Sequence, residues 1–170
     1  GGLGTRLKPL TDTIPKPMLE VGNKPILETI INQFIKSGFK NFVLCVNYKS
    51  EIIKEYFGNG EKLGITIEYI YENKRMGTAG ALSLLKEKPT QAFFVMNGDL
   101  LTNINCADLL DYHKANKSLA TMGVREFNMQ VPYGVVNTIG SDIKTIEEKP
   151  TLNFFVSGGI YVLDPLCLEH

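Results

Sequence analysis

The residues best suited to chemistry in this chain are glycines, cations and a few carboxylates, placed where the chain turns. The sequence opens Gly1-Gly2-Leu3-Gly4-Thr5-Arg6-Leu7-Lys8-Pro9, a glycine-rich turn running into a basic stretch. Glycines let backbone N–H groups converge on an anion as a concave nest for phosphate oxygens. Arg6 adds a planar guanidinium fork with the same preference. The glycines alone fit a plain tight turn equally well. The segment lacks the Lys-Ser/Thr that closes a Walker A loop and the third glycine of the dinucleotide fingerprint.

Ten residues after Arg6, Pro15-Lys16-Pro17 fixes the backbone on both sides of one lysine and limits where its ammonium can go. The plain alternative is a surface turn with a solvated lysine. Asn97-Gly98-Asp99 follows an apolar run, and a carboxylate at the exit of a buried strand is placed to hold Mg²⁺ against phosphate oxygens. An Asx turn accounts for the same three residues. Glu148-Lys149-Pro150 ends a later strand-like run, where the plain reading is a solvated charge pair before a turn. Gly134, after Tyr133, and Gly159, in Ser157-Gly158-Gly159, are places where a ligand can approach the backbone, or else bulges.

The elements that must position these residues follow from apolar spacing. Asn23-Lys24-Pro25 opens a stretch in which Ile26, Ile30 and Phe34 recur at helical spacing, and Gly38 closes it. Residues 42–46 read as a short buried strand holding Cys45 as a small hydrophobe. Ser50 caps a second helix through residue 56, ended by Gly58. Residues 65–71 and 92–96 read as strands, 79–86 and 107–115 as helices. Strand-like segments follow at 119–124, 135–138, 143–147 and 154–163. Alternating strands and helices imply βαβ units and a parallel sheet covered on both faces, with mixed pairing toward one edge. Ligands of such sheets bind in the loops beyond the carboxyl ends of the strands, where the residues above fall.

The bulk composition narrows the partners. Eighteen basic and eighteen acidic residues cancel in a 170-residue chain, so there is no global field for nucleic acid or an anionic membrane. No apolar run approaches the roughly 18–20 residues of a membrane span, and the expected compartment is the cytoplasm. Three scattered cysteines and two histidines leave little for a Ser-His-Asp or Cys-His arrangement.

In order and spacing these motifs resemble the sugar-phosphate nucleotidyltransferases, the family of glucose-1-phosphate thymidylyltransferases and mannose-1-phosphate guanylyltransferases. The glycine loop ending Gly-Thr-Arg-Leu matches residues 1–7, Pro-Lys-Pro matches Pro15-Lys16-Pro17, and Met-Gly-Thr-Ala-Gly-Ala matches residues 76–81. Gly-Asp after a strand matches Gly98-Asp99, Glu-Lys-Pro matches Glu148-Lys149-Pro150, and Gly-Ile-Tyr matches residues 159–161. The resemblance spans nearly the whole chain. It implies a Rossmann-like, three-layer α/β/α fold with a mixed, mostly parallel sheet, one catalytic core over residues 1–167. Members are often oligomeric, and such a core also occurs within larger chains.

The roles that the resemblance implies follow residue by residue. Gly1, Gly2, Gly4 and Thr5 wrap a nucleoside triphosphate, and Arg6 lies on the phosphates near the leaving pyrophosphate. Lys16 bridges the reacting phosphates, Gly77 and Thr78 lie beside the base, and Asp99 holds Mg²⁺. Gly134, Glu148, Lys149 and Gly159 form the sugar 1-phosphate site, Glu148 through sugar hydroxyls and Lys149 through the phosphate. The reaction is an in-line attack of a sugar-phosphate oxygen on the α-phosphorus. A phosphate monoester has its second pKa near ~6, so the nucleophile is already anionic and needs no general base. The obstacle is repulsion between two polyanions, which calls for cations and pre-aimed N–H donors.

Glu72 stands five residues before Gly77, where thymidylyl members carry glutamine. A carboxylate only accepts hydrogen bonds, which suits the adjacent N1–H and amino donors of guanine; an amide suits thymine or uracil. GTP is therefore the expected substrate, with dTTP, UTP or CTP as the alternative and a strand-end surface charge as the plain reading of Glu72. Two departures from the family pattern stand out. Its first strand, before the glycine loop, and its second metal-binding aspartate lie outside these residues, so both ends read as cut and slow turnover is expected of the chain alone. Leu168-Glu169-His170 reads as an expression-tag remnant. Two other functions fit less well. A non-catalytic nucleotide-sugar sensor need not keep Arg6, Lys16 and Asp99. A glycosyltransferase usually holds metal with Asp-x-Asp, whereas Leu100-Leu101 follow Asp99.

Overall fold

The computed structural model describes residues 7–73, 76–77 and 79–169. A 3-10 turn at Lys16–Met18 leads into an antiparallel ribbon of β1 (Glu20–Val21) and β2 (Lys24–Pro25). Helix α1 (Ile26–Lys36) starts directly after Pro25, as the spacing predicts. Its end is a Schellman motif. The Gly38 N–H donates to Ile35 O at 2.9 Å, the Phe39 N–H to Phe34 O at 3.1 Å, and Gly38 takes a φ of 89°. The Phe34 and Phe39 rings, 5.6 Å apart and edge to face, supply the apolar contact of that motif.

Strand β3 (Asn41–Val46), helix α2 (Ser50–Phe57) and strand β4 (Thr66–Tyr71) form a βαβ unit, with β3 and β4 parallel from Asn41↔Thr66 to Val46↔Tyr71. Strand β5 (Phe93–Met96) and helix α3 (Cys106–Ala115) follow, and the Asn105 side chain caps α3 by accepting from Ala107 N at 3.0 Å. The remaining strands are β6 (Ala120–Gln130), β7 (Gly134–Ile139), β8 (Asp142–Glu148) and β9 (Thr151–Leu163). One sheet runs β5-β9-β6, with β9 antiparallel to β5; β7 and β8 form an antiparallel hairpin.

The chain divides into two compact units, Gly1–Thr121 with Ile160–His170, and Met122–Gly159. In the first, α1 feeds two cores from adjacent faces. Leu27 and Ile31 pack with Val46, Ile53, Phe57, Ile65 and Ile67, while Ile30 and Phe34 pack with Cys106 and Ile160. Ile31, 1% exposed, contributes about 1.5–3 kcal/mol by its burial. Helices and sheets together give the expected α/β class.

Three local expectations need correction. Strand β3 is buried on one face only: Phe42, Leu44 and Val46 face inward, whereas Val43 and Cys45 are exposed. A continuous apolar run carries no alternation from which an open face can be read. Ser50 is the first residue of α2 and does not cap it; Lys49 is the cap, at a φ of 51° and without a side-chain cap bond. The helix expected at 79–86 is a 3-10 turn at Gly80–Leu84, in which the Ser83 hydroxyl donates to Gly80 O at 2.7 Å and competes with α-helical pairing. No helix among the described residues is long and apolar enough to cross a membrane.

Candidate active site

Lys16 and Asp99 meet. The Lys16 Nζ lies 2.6 Å from Asp99 Oδ2, with the two side chains 34% and 35% exposed. The sequence explains the encounter. Pro15, at φ −67°, leads into the 3-10 turn, and Met18, 7% exposed, anchors it in the core. The turn is closed by Met18 N donating to Pro15 O at 2.8 Å. On the other side β5 delivers Asn97-Gly98-Asp99 into a turn. A β-carbon at Gly98 would touch the Pro17 ring at 3.8 Å, so the proline segment lies directly on Gly98. At this strand exit, one-third open to solvent, the ammonium can take phosphate oxygens directly, whereas the carboxylate can reach them only through a cation that it holds.

Glu72 leaves β4 at the same end as Asn47 leaves β3. It is 8% exposed. Its N–H donates to Val46 O at 2.9 Å, and its carbonyl accepts a short hydrogen bond from Asn47 Nδ2. Desolvation of its sulfur, and after it the Glu72 charge, push the Cys45 thiol above its ordinary value, although the residue lies on the open face of β3. Gly77 takes a φ of 76°, a conformation open to glycine and strained for most other residues. Gly1, Gly2, Gly4, Thr5, Arg6 and Thr78 lie outside the described residues. Asn47 was not singled out by the sequence; the only signal is a polar residue at the exit of an apolar strand, the same signal that marks Asp99.

In the second unit the hairpin brings Gly134, Glu148 and Lys149 together. Gly134 pairs with Glu148, and a β-carbon at 134 would stand 3.2 Å from Glu148 Oε2. The Lys149 N–H donates to Tyr133 O at 3.2 Å, and Lys149 Nζ lies 3.9 Å from Glu148 Oε1. Lys149 has a φ of 47°, rare for a residue with a β-carbon, and strain of this kind collects at ligand-holding positions. Gly159 is buried at a φ of 72°, its N–H donating to Ser157 Oγ at 3.2 Å.

Among the described residues no three His, Cys, Asp or Glu side chains gather into a ready-made metal site. Mg²⁺ does not require one, since it keeps several waters and takes one or two carboxylates with substrate phosphates. Asp99, a lone carboxylate at a strand exit with an open flank, fits that donor set.

Residues 1–170 match the family described as nucleotidyl transferase. The chain is 38% identical to a mannose-1-phosphate guanyltransferase of Schizosaccharomyces pombe, covering 100% of this chain and 49% of that protein. It is 39% identical to a D-glycero-alpha-D-manno-heptose 1-phosphate guanylyltransferase of Campylobacter jejuni, covering 96% of this chain and 72% of that one. The crystal structure of HddC from Yersinia pseudotuberculosis complexed with GMP-PN superposes with a TM-score of 0.71 at 24% identity, covering 99% of this chain and 76% of that one. The chain thus spans about half the length of the mannose-1-phosphate relatives it matches.

Proposed function

This chain belongs to the nucleotidyl transferase family, and we propose that it joins GTP to a sugar 1-phosphate, giving a GDP-sugar and pyrophosphate. The observation that carries the reading is the 2.6 Å Lys16–Asp99 pair at the exit of β5. A phosphate oxygen of the sugar attacks the α-phosphorus of GTP. The bond from that phosphorus to the bridging oxygen breaks, and its electrons leave with pyrophosphate. Lys16 sits against the reacting phosphates and offsets their mutual repulsion, with Arg6 and the glycine loop of residues 1–5 serving the triphosphate. Mg²⁺, held by Asp99, would supply further neutralisation of the phosphate oxygens.

Glu72 is proposed to accept from the two adjacent donors of guanine, with Gly77 and Thr78 beside the base. The sugar 1-phosphate is assigned to Gly134, Glu148, Lys149 and Gly159, Lys149 on the phosphate and Glu148 on sugar hydroxyls. The relatives' names point to manno-configured sugars, mannose or a manno-heptose. The test is pyrophosphate release by the whole protein, with GTP, UTP, dTTP and CTP each offered mannose 1-phosphate and manno-heptose 1-phosphate. GTP is expected to give the highest kcat/KM. A pyrimidine triphosphate in first place would overturn the base assignment, and no release with any pair would overturn the reaction.

A further inference from the structure

Resting on the reading of Glu72 above, we propose that Asn47 is the positioning residue that lets Glu72 discriminate the base. The parallel register ends at Val46↔Tyr71, so Asn47 and Glu72 are the next residues out on their two strands. The last rung of that ladder holds the Glu72 N–H, and the Asn47 side chain adds a second hold just beyond it. Its N–H donates to Val46 O, and its carbonyl takes the hydrogen bond from Asn47 Nδ2. A residue just beyond a strand is ordinarily free to turn. This one is clamped on both sides and only 8% exposed. The direction in which its Cα–Cβ bond leaves the backbone is therefore set by these two bonds, one of them from Asn47.

Asn47 is itself held. The next two residues both reach the segment that leads to Lys16: Tyr48 Oη donates to Asp12 O at 3.4 Å and Lys49 Nζ donates to the same carbonyl at 2.5 Å. Lys49 carries the φ of 51° noted above, an unfavourable conformation that surrounding contacts must maintain. The turn after β3 thus grips the backbone of the base-reading residue on one side and the phosphate-side segment on the other. Accepting from two adjacent donors demands orientation of this kind, because hydrogen bonds weaken steeply with angle.

The test titrates GTP and UTP into the whole protein, wild type and with Asn47→Asp, Asn47→Ala and Glu72→Gln. Aspartate keeps the shape of asparagine but cannot donate, so it opposes the Glu72 carbonyl rather than holding it. Both Asn47 variants are expected to lower the GTP-over-UTP affinity ratio about tenfold, chiefly through weaker GTP binding. A merely structural Asn47 would weaken both nucleotides alike and leave the ratio in place, which overturns the proposal. Thermal melting checks folding; should both variants unfold, Asn47→Ser, which retains a shorter donor, is read for the same ratio and must lie below wild type. Glu72→Gln separates the two ideas. Loss of the ratio there with an indifferent Asn47 sinks this inference alone, whereas an indifferent Glu72 sinks the base assignment beneath it.

Discussion

Lys16 and Asp99 neutralise each other across 2.6 Å, so a triphosphate that settles there must take over one partner's charge from the other. An ammonium aimed in advance loses nothing to reorganisation when charge shifts during reaction. Replacing Lys16 by methionine keeps most of its length and removes the charge. The expected result is a fall in kcat of about 10²–10³, the usual consequence of removing one pre-aimed donor, with the KM for the sugar phosphate moving far less. Steady-state pyrophosphate release measures it, and a loss confined to KM would show that Lys16 binds without assisting the chemical step. The lysine was legible because prolines bracket it, and the aspartate because it follows an apolar strand. Asn47 was not, since one asparagine after a strand has too many ordinary uses. Its value lies in the carbonyl of Glu72, twenty-five residues away, which no spacing rule connects to it.

The hairpin of β7 and β8 places strain and charge on one residue. Lys149 holds a φ of 47° between Glu148 and Pro150, and left-handed conformations cost residues with a β-carbon about 1–2 kcal/mol. Glycine adopts that φ freely but surrenders more freedom on folding. Lys149→Gly is therefore expected to leave stability unchanged or raise it by up to about 1 kcal/mol, read by thermal melting, while the KM for the sugar 1-phosphate rises about tenfold. A clear loss of stability would mean that the conformation is held by the lysine side chain itself. Gly60 makes the opposite case, since at a φ of 90° an added β-carbon would lie 2.8 Å from Ile65 O and 2.9 Å from two isoleucine side-chain carbons. Gly60→Ala should destabilise by about 2–4 kcal/mol in urea unfolding, strain and clash acting together. Element ends defined by backbone chemistry, such as Pro25 and Gly38 around α1, were readable in advance. The 3-10 turn at Gly80–Leu84 was not, because Ser83 redirects a hydrogen bond that apolar spacing does not register.

At the scale of the whole molecule the charges cancel, so what electrostatics does here it does locally. The α/β class and the order of strands and helices were legible in the alternation of apolar runs. The division into two compact units was not, because it falls inside β6 and β9, and Ser157-Gly158-Gly159 at the β9 crossing marks a bulge within a strand rather than a linker between units. Equally hidden was Glu28, in the first turn of α1, which gathers three elements. It accepts from Lys24 Nζ of β2 at 2.7 Å, from Tyr56 Oη of α2 at 2.6 Å and from Asn32 Nδ2 at 3.3 Å. Its side chain is 11% exposed. The Lys24 bond, then the Tyr56 bond, hold its carboxyl below the ordinary value of 4.5 against the opposing effect of burial. A carboxyl lowered on folding stabilises the protein above its unfolded pKa, and that stabilisation is lost as pH falls through the folded value. Glu28→Gln should therefore lower stability by about 1–3 kcal/mol at about pH 7 and by much less at about pH 3, with urea unfolding at both values giving the two differences. An equal deficit at both would show that Glu28 acts through packing alone, because only the ionised carboxylate can lose its hold on Lys24 and Tyr56 when it gains a proton.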